Sequence, residues 1–234
     1  MTQTINDFLA ESVYMAVLLT IGSYGIGIWL RKKTGCALMN PLLVSIILTI
    51  GFLCLTGIPY ESYSRGTDII KYMLTPATIC LAVPLYEQID QLKRNVHAVT
   101  LGIAAGVLAS MLSILALVGI MGLGHISYVT LLPKSITTAI GMDLSNELGG
   151  NVPVTIITIV VTGITGNIFA EKFLRLIRVK HPIAKGIAIG SASHVIGTSK
   201  AMEMGQTEGA MSSLSIVTSG ILTVITASLF ASFG

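Results

Sequence analysis

The chain has 234 residues, of which 53% are hydrophobic and only 11% are charged, and its mean hydropathy is +0.83. A soluble domain carries about 25% charged residues, so a chain this apolar would expose large hydrophobic patches in water. The composition excludes an ordinary soluble enzyme domain, and a net charge of +3 is too small to indicate a nucleic-acid partner. A membrane-spanning helix needs about 20 apolar residues, and several charge-free stretches are long enough. The sequence therefore predicts an all-α, polytopic membrane protein.

Eight apolar segments follow one another along the chain. The second, fourth, sixth and eighth are predicted to be ordinary spans, and the first is short but sufficient to cross the membrane. Segments three, five and seven are interrupted by proline, glycine, hydroxyl-bearing residues or a charge. Such backbone is tolerated at membrane depth only where it packs against protein or lines a wet cavity. The segments lie at roughly 12–30, 41–58, 72–86, 98–121, 128–146, 152–174, 184–201 and 210–233.

The positions of lysine and arginine predict the orientation, because these residues are enriched in cytoplasmic loops. Three basic residues at 31–33 follow the first span, so the N-terminus is predicted to lie outside. The basic cluster at 172–185 is also predicted to be cytoplasmic, which requires segment five to enter and leave on one side. The prediction is seven crossings plus one re-entrant segment, and the course of segment seven stays open. It leaves Arg65, Lys71 and Lys200 outside and Lys134 within the membrane.

A shift of about 112 residues aligns segments two, three and four with segments six, seven and eight. Segments two and six begin alike, with Asn40-Pro41 and with Asn151-Val152-Pro153. Paired segments that run in opposite directions are typical of inverted-repeat transporters. We therefore predict one membrane domain over 1–234, with inverted repeats at about 12–121 and 128–233. The alternative is a seven-helix bundle without symmetry.

Segment five contains the sequence LLPKSITTAIGMDL. Lys134 is costly at membrane depth, so it is a functional candidate by default. Pro133 is predicted to start a half-helix whose free N–H groups and positive dipole face a cavity. Together with the hydroxyls of Ser135, Thr137 and Thr138, these groups would bind a carboxylate. The alternative is a lysine that extends from a short hairpin to the interface.

Segment seven contains the sequence GIAIGSASHVIGTSKAME. Its glycines are predicted to let the helix unwind, and Gly190 is the predicted break. His194 is a candidate for carrying a coupling proton, since the ordinary pKa of histidine is about 6.5. A hydrogen-bonded packing role for His194 is an equal alternative. The predicted substrate-binding residues of this segment are Ser191, Ser193, Gly197 and Thr198.

Segment three, TPATICLAVPLY, carries Pro76 and Pro84. Two prolines in so short a span break or kink it and free carbonyl groups near Thr75 and Thr78. These two threonines are therefore also predicted to line the substrate site. The alternative is a kinked helix with a purely structural role.

Enzymatic and metal chemistry are not predicted. The three cysteines, Cys36, Cys54 and Cys80, lie in or beside apolar stretches without metal-ligand spacing. The sequence contains no HExxH zinc motif and no GxSxG nucleophile motif. We therefore predict a protein without a cofactor or metal ion, embedded in a lipid bilayer.

The stretches LPKSITTAIGM, TPATICLAVPLY and GIAIGSASHVIGTSKAMEMGQTEGAMSSLS resemble the LrgB/CidB family of bacterial membrane proteins. The resemblance covers nearly the whole chain. It implies that Lys134, Ser135 and Thr137, together with Ser193, His194 and Gly197, are the working positions. Ala139 stands where the family more often has proline, and Ser199-Lys200 stands where it more often has Ala-Arg.

The resemblance implies two functions and a location in the bacterial cytoplasmic membrane. The family is described as antiholin-like and as modulating murein hydrolase activity and autolysis with a small LrgA/CidA-type partner. Its relatives include bacterial pyruvate-uptake systems and a plastid glycolate/glycerate transporter. Our leading expectation is a carrier for a small monocarboxylate, coupled to a proton or cation and working by alternating access. The alternative is an antiholin-like regulatory protein, and either form is compatible with a homo-oligomer.

Overall fold

The structure is a computed structural model that describes residues 13–35, 39–80 and 82–233. Within those ranges every regular element is a helix and none is a strand, which confirms the predicted all-α class. Contacts divide the chain into two compact units, Met1–Cys80 and Leu81–Gly234. The site described below lies in the second unit.

The described residues of the first unit form two longer helices followed by three short ones. Asn40 immediately precedes the second helix, and its side-chain oxygen accepts hydrogen bonds from the N–H groups of Leu42 and Leu43. Pro41 follows at the first helical position, where its missing N–H costs nothing. The helices are α1 (Val13–Thr34), α2 (Pro41–Thr56), α3 (Tyr60–Gly66), α4 (Asp68–Tyr72) and α5 (Leu74–Cys80).

Hydroxyl groups join α1 to α2 in an otherwise apolar contact. The Oγ of Ser23 lies 2.8 Å from the Oγ of Ser45 and 3.3 Å from the Oγ1 of Thr49, and all three side chains are buried. Hydroxyl groups away from water must find such partners, so these contacts fix how the two helices pack.

The second unit alternates long helices with short or bent ones. Its helices are α6 (Ala82–Glu87), α7 (Ile89–Arg94), α8 (Val96–Met121), α9 (His125–Leu131), α10 (Thr138–Glu147), α11 (Val152–Leu176), α12 (Pro182–Met204) and α13 (Gln206–Ala231). Asn151 caps α11 by accepting a hydrogen bond from the N–H of Val154, much as Asn40 caps α2. The shared capping agrees with the aligned starts of segments two and six, while the inverted repeat itself stays a prediction.

Four of the described helices, α1, α8, α11 and α13, are long and apolar enough to span a membrane. Four predicted spans are therefore helices of the expected length. The remaining predicted span is segment two, which forms α2 and is apolar but only 16 residues long.

Helix α8 is buried on one face and exposed on the other. Its buried residues recur every three or four positions, as expected for one face of a helix: Val99, Ile103, Val107, Met111, Ile114 and Val118. The other face exposes Leu101, Leu108 and Leu112. An exposed leucine face is unfavourable in water but natural in lipid, so the packing agrees with a membrane span.

The chain reverses direction between α9 and α10. The Oγ1 of Thr155, near the start of α11, donates to the carbonyl oxygen of Thr130 at 2.9 Å. The Oγ1 of Thr155 also lies 2.7 Å from the Oγ of Ser145. Thr130 and Ser145 are fifteen residues apart in sequence, but both contact the Oγ1 of Thr155. Helix α9 therefore leads away from this place and α10 leads back to it. We call residues 125–147 the first hairpin.

The chain also reverses direction inside α12. A Cβ atom at Gly190 would overlap the carbonyl oxygen of Ser212, and the Oγ1 of Thr198 lies 2.7 Å from the Oγ of that same serine. Eight residues of straight helix would span about 12 Å, so the two positions cannot share one neighbour without a turn between them. The turn is at His194, where φ is 42° and ψ is −143°. We call residues 182–204 the second hairpin.

The second reversal corrects two expectations. The break lies at His194, whereas the sequence placed it at Gly190, which instead packs closely against Ser212. Lys200 was counted on the side opposite the 172–185 cluster, but its Nζ lies 2.9 Å from the carboxylate of Glu171. That prediction is wrong because a returning arm brings Lys200 back to the end where α11 finishes. Hydropathy reports how apolar a segment is and says nothing about its direction.

Segment three forms α5 and α6, and Leu81 between them lies outside the described residues, so the predicted break at Pro76 and Pro84 stays a prediction. Pro76 occupies the third position of α5. Proline is tolerated in the first turn of a helix, where no N–H is needed for the hydrogen-bond ladder. The side chains of Thr75, Thr78 and Pro84 lie outside the described part of the structure.

The close contact at Gly190 predicts that Gly190→Ala destabilises the protein by about 1–3 kcal/mol, because an added methyl overpacks the contact with α13. The matched control is Gly119→Ala on α8, where no atom lies within 4 Å of the new Cβ. The control should change stability by no more than about 1 kcal/mol. The measurement is the midpoint of thermal unfolding of the purified chain in detergent. Equal midpoints for the two variants would contradict the second hairpin.

Candidate functional site

The tips of the two hairpins line one cavity inside the second unit. Lys134, between α9 and α10, and Ser193, beside the turn in α12, both line a cavity of about 660 Å³. Its remaining wall is α11, including Thr162, Thr165 and Gly166. Two predicted site residues that are 59 positions apart in sequence therefore share one cavity, which is within the usual size range for a small-molecule site.

Lys134 is partly buried and its charge is not neutralised by a carboxylate. Its Nζ donates to the Oγ of Ser135 at 3.1 Å and to the Oγ of Ser110 at 3.4 Å. The two serine oxygens are 2.9 Å apart. Among the described residues, no carboxylate oxygen lies within 4.0 Å of this ammonium group. An ammonium group has three donors, so Lys134 has donor capacity left for an anion.

Helix α10 begins four residues after Lys134. Thr137 precedes this helix in an extended conformation, and its side chain makes no capping hydrogen bond. The first N–H groups of a helix lack intrahelical partners and favour negative charge. The half-helix was predicted to start at Pro133, but it starts at the half-buried Thr138, and Pro133 lies in the turn before it. A lysine does precede a helix N-terminus, as predicted, but the helix begins five residues later than expected.

His194 is buried against α11 and does not line the cavity. Its Nε2–H donates to the carbonyl oxygen of Ile159 at 2.9 Å. A Cβ atom at Gly163 would lie 2.7 Å from the Cε1 of the ring, so the glycine makes room for it. The imidazole is therefore positioned by one hydrogen bond and by packing, and its role in proton coupling stays a prediction.

The other predicted residues of segment seven hold the second hairpin together. The hydroxyl of Ser191 donates to the carbonyl oxygen of Ile187, and the hydroxyl of Thr198 donates to that of His194. Gly197 lies on the returning arm, close to Ser193 and Ile189 on the entering arm. Ser191, Gly197 and Thr198 thus shape the turn, whereas Ser193 reaches the cavity.

Sequence reasoning missed the contributions of α8 and α11 to the site. Ser110 was part of a segment treated as an ordinary span, yet it is a hydrogen-bond acceptor for Lys134. Thr162, Thr165 and Gly166 of α11 were likewise unassigned. The available signal was a polar residue in an otherwise apolar span, which usually faces the interior of a bundle.

Comparisons with known proteins support the resemblance noted in the sequence. The model of the LrgB-like family matches residues 20–233. The chain is 36% identical over 220 residues to the antiholin-like protein LrgB of Bacillus subtilis (strain 168), an alignment that covers 94% of this chain and 95% of the relative. No solved structure matches the chain significantly.

The contact between Ser110 and Ser135 predicts a specific disulfide. In a chain whose three native cysteines are replaced by alanine, Ser110→Cys with Ser135→Cys should cross-link on mild oxidation, because disulfides form when Cα atoms are within about 7 Å. Leu112→Cys with Ser135→Cys is the matched control, since Leu112 is exposed on the other face of α8. Mass spectrometry of the digested protein detects the linked peptides. Absence of the first cross-link, or equal yields for both pairs, would show that Ser135 at the tip of the first hairpin does not lie beside Ser110.

Proposed function

The chain belongs to the LrgB-like family, and we propose that it is an antiholin-like integral membrane protein. The observation that carries this proposal is the end-to-end similarity to the antiholin-like protein of Bacillus subtilis. Because the alignment covers nearly all of both chains, the likeness includes the long helices as well as both hairpins. We further propose that the protein resides in the bacterial cytoplasmic membrane.

The proposed arrangement has six crossings and two re-entrant segments. The first hairpin enters from the outside and the second from the cytoplasm. Eleven of the fourteen basic residues then lie in the cytoplasm, two lie outside and Lys134 lies within the membrane. The two outside are Arg65 and Lys71. The pairing of Lys200 with Glu171 supports this revision of the seven-crossing prediction.

The proposed partner is a small membrane protein of the LrgA/CidA type, which the chain would restrain. Helix association in lipid depends on packing between exposed helix faces. The exposed face of α8, with Leu101, Leu108 and Leu112, is one surface that such a partner or a second copy of this chain would use. This regulatory role does not require Lys134 to bind a ligand.

The antiholin-like role is tested by cell lysis. In a bacterial host that lacks its own LrgB-like protein and carries an LrgA-type partner, expression of the chain should slow detergent-induced autolysis. An unrelated membrane protein of similar size, expressed at the same level, is the control. The measurement is the fall in culture turbidity, together with murein hydrolase activity in extracts. Lysis at the control rate would contradict the proposal.

A second candidate function is a carrier for a small monocarboxylate, such as pyruvate, lactate or glycolate. The observation that favours it is Lys134, whose ammonium group lies in the cavity beside two serine hydroxyls and the start of α10. A lysine at membrane depth is costly unless it is used, and an anion is its natural counterpart. The two hairpins would separate the cavity from the two sides of the membrane in turn, and alternating access would require one hairpin to move relative to α11.

The carrier function predicts that Lys134→Met lowers the uptake of radiolabelled pyruvate into proteoliposomes by about 10-fold to 100-fold, because a charged hydrogen bond is worth about 1.5–3 kcal/mol. The matched control is Lys172→Met, which removes an exposed lysine of α11. His194→Gln, assayed with and without a pH gradient, tests proton coupling. Saturable uptake that is unchanged in Lys134→Met would exclude the anion site.

The Lys134→Met variant also separates the two proposed functions in cells. If restraint of lysis depends only on contact with the partner, Lys134→Met retains it. If restraint depends on carboxylate flux, Lys134→Met loses it together with the uptake. Comparable amounts of protein in the membrane fraction are the required control.

A further inference from the structure

We infer that the second unit has a separate binding site for a phosphate-bearing anion at the end where α11 finishes. A cavity of about 470 Å³ lies there, at the end of the unit opposite to the first hairpin. It is formed by the last turn of α11, the loop that follows, both arms of the second hairpin and the start of α13. Neither the proposed antiholin-like role nor the carrier role assigns a function to it.

The charges that line this cavity do not balance. Five lining residues are basic and three are acidic. Glu171 is shared, because its carboxylate lies 3.0 Å from Arg175 and 2.9 Å from Lys200. Glu203 lies 3.3 Å from Lys200, and Glu208 lies 3.9 Å from Lys185. The three carboxylates are thus already engaged with three of the five basic residues.

The two remaining cations are Arg178 and Lys180. Both line the cavity, and in the part of the chain that the structure describes no carboxylate oxygen lies within 4.0 Å of either. Two uncompensated cations that line the same cavity make its potential positive and attract an anion. Arginine binds phosphate through paired N–H groups, and lysine adds a point charge. The cavity therefore has the composition of a phosphate site.

The backbone at Arg178 supports a role for its side chain. Helix α11 ends in a Schellman motif, in which the N–H of Val179 donates to the carbonyl oxygen of Leu174 at 2.9 Å. The residue at the centre of this motif is usually glycine because φ is positive there, and Arg178 has φ of 59°. An arginine in a conformation that favours glycine is strained, and strain of this kind clusters at ligand sites.

Two sources present this chemistry to the cavity: the head group of an anionic phospholipid and free inorganic phosphate. Anionic lipids concentrate at the cytoplasmic surface, and basic pockets between membrane helices on that side bind their head groups. The shared element is the phosphate group. The two sources differ in whether acyl chains are needed, and this difference can be measured.

The test uses the purified full-length chain in detergent. It is titrated with dioleoyl phosphatidylglycerol, with dioleoyl phosphatidylcholine and with inorganic phosphate. Ligand binding raises the thermal midpoint by an amount that grows with the ligand concentration relative to the Kd, and native mass spectrometry counts the lipids that remain bound. Arg178→Gly with Lys180→Gln removes both cations, while glycine retains the conformation that the end of α11 needs. Lys93→Gln with Arg94→Gln is the control, since it removes the same charge from two exposed residues.

The expected result is saturable binding of phosphatidylglycerol or phosphate to the wild type and to the control, and binding at least about 10-fold weaker in the Arg178/Lys180 variant. A response to phosphatidylglycerol alone assigns the site to a lipid head group, and a response to inorganic phosphate assigns it to the free anion. Equal weakening in both variants, or no saturable response to either ligand, would overturn the inference. The measurement is of binding alone, so it is independent of the lysis and uptake assays.

Discussion

Lipid offers no hydrogen bonds, and this one constraint determines how the second unit is built. A chain that turns within the membrane leaves N–H and C=O groups without their helical partners, so each turn must be enclosed by protein. Thr155 contacts both arms of the first hairpin, and Ser212 contacts both arms of the second. These two residues belong to long helices, α11 and α13, which enclose the irregular segments. The long helices therefore supply the hydrogen-bonding and packing partners that the two chain reversals need.

The same constraint explains why hydroxyl groups are so frequent at helix contacts here. Serine and threonine are small enough to let helices approach closely, and their hydroxyls bond to carbonyl groups or to one another. Ser23 and Ser45 do this in the first unit, and Thr198 and Ser212 do it in the second. The site at Lys134 uses the same chemistry, with serines of α8 and of the hairpin tip around an ammonium group. Helix packing and the Lys134 site thus use the same types of residue.

Much of the architecture was predictable because hydropathy and charge position report on single segments. The long apolar segments are helices, segments five and seven are interrupted, and Lys134 lies in a cavity with Ser193. The predictions that failed were those that required knowing which segments lie next to one another. Gly190 was predicted to break the helix because glycine permits unwinding, but its lack of a side chain serves close packing, and His194 turns the chain. Lys200 was misplaced for the same reason, and Ser110 was missed because nothing in its own segment indicates that Lys134 lies opposite.

Ser212 also determines which parts of the second unit can move as separate bodies. Opening the second hairpin away from α13 would break the hydrogen bond of Thr198 and uncover the contact of Gly190 in a place without water to replace them. The face toward α11 is held as well, because Gly163 and Gly166 leave room for the side chains of His194 and Ser193. There the Nε2–H of His194 donates to the carbonyl oxygen of Ile159. The second hairpin is therefore fastened on two sides, and any movement of it must break a buried hydrogen bond either to α13 or to α11.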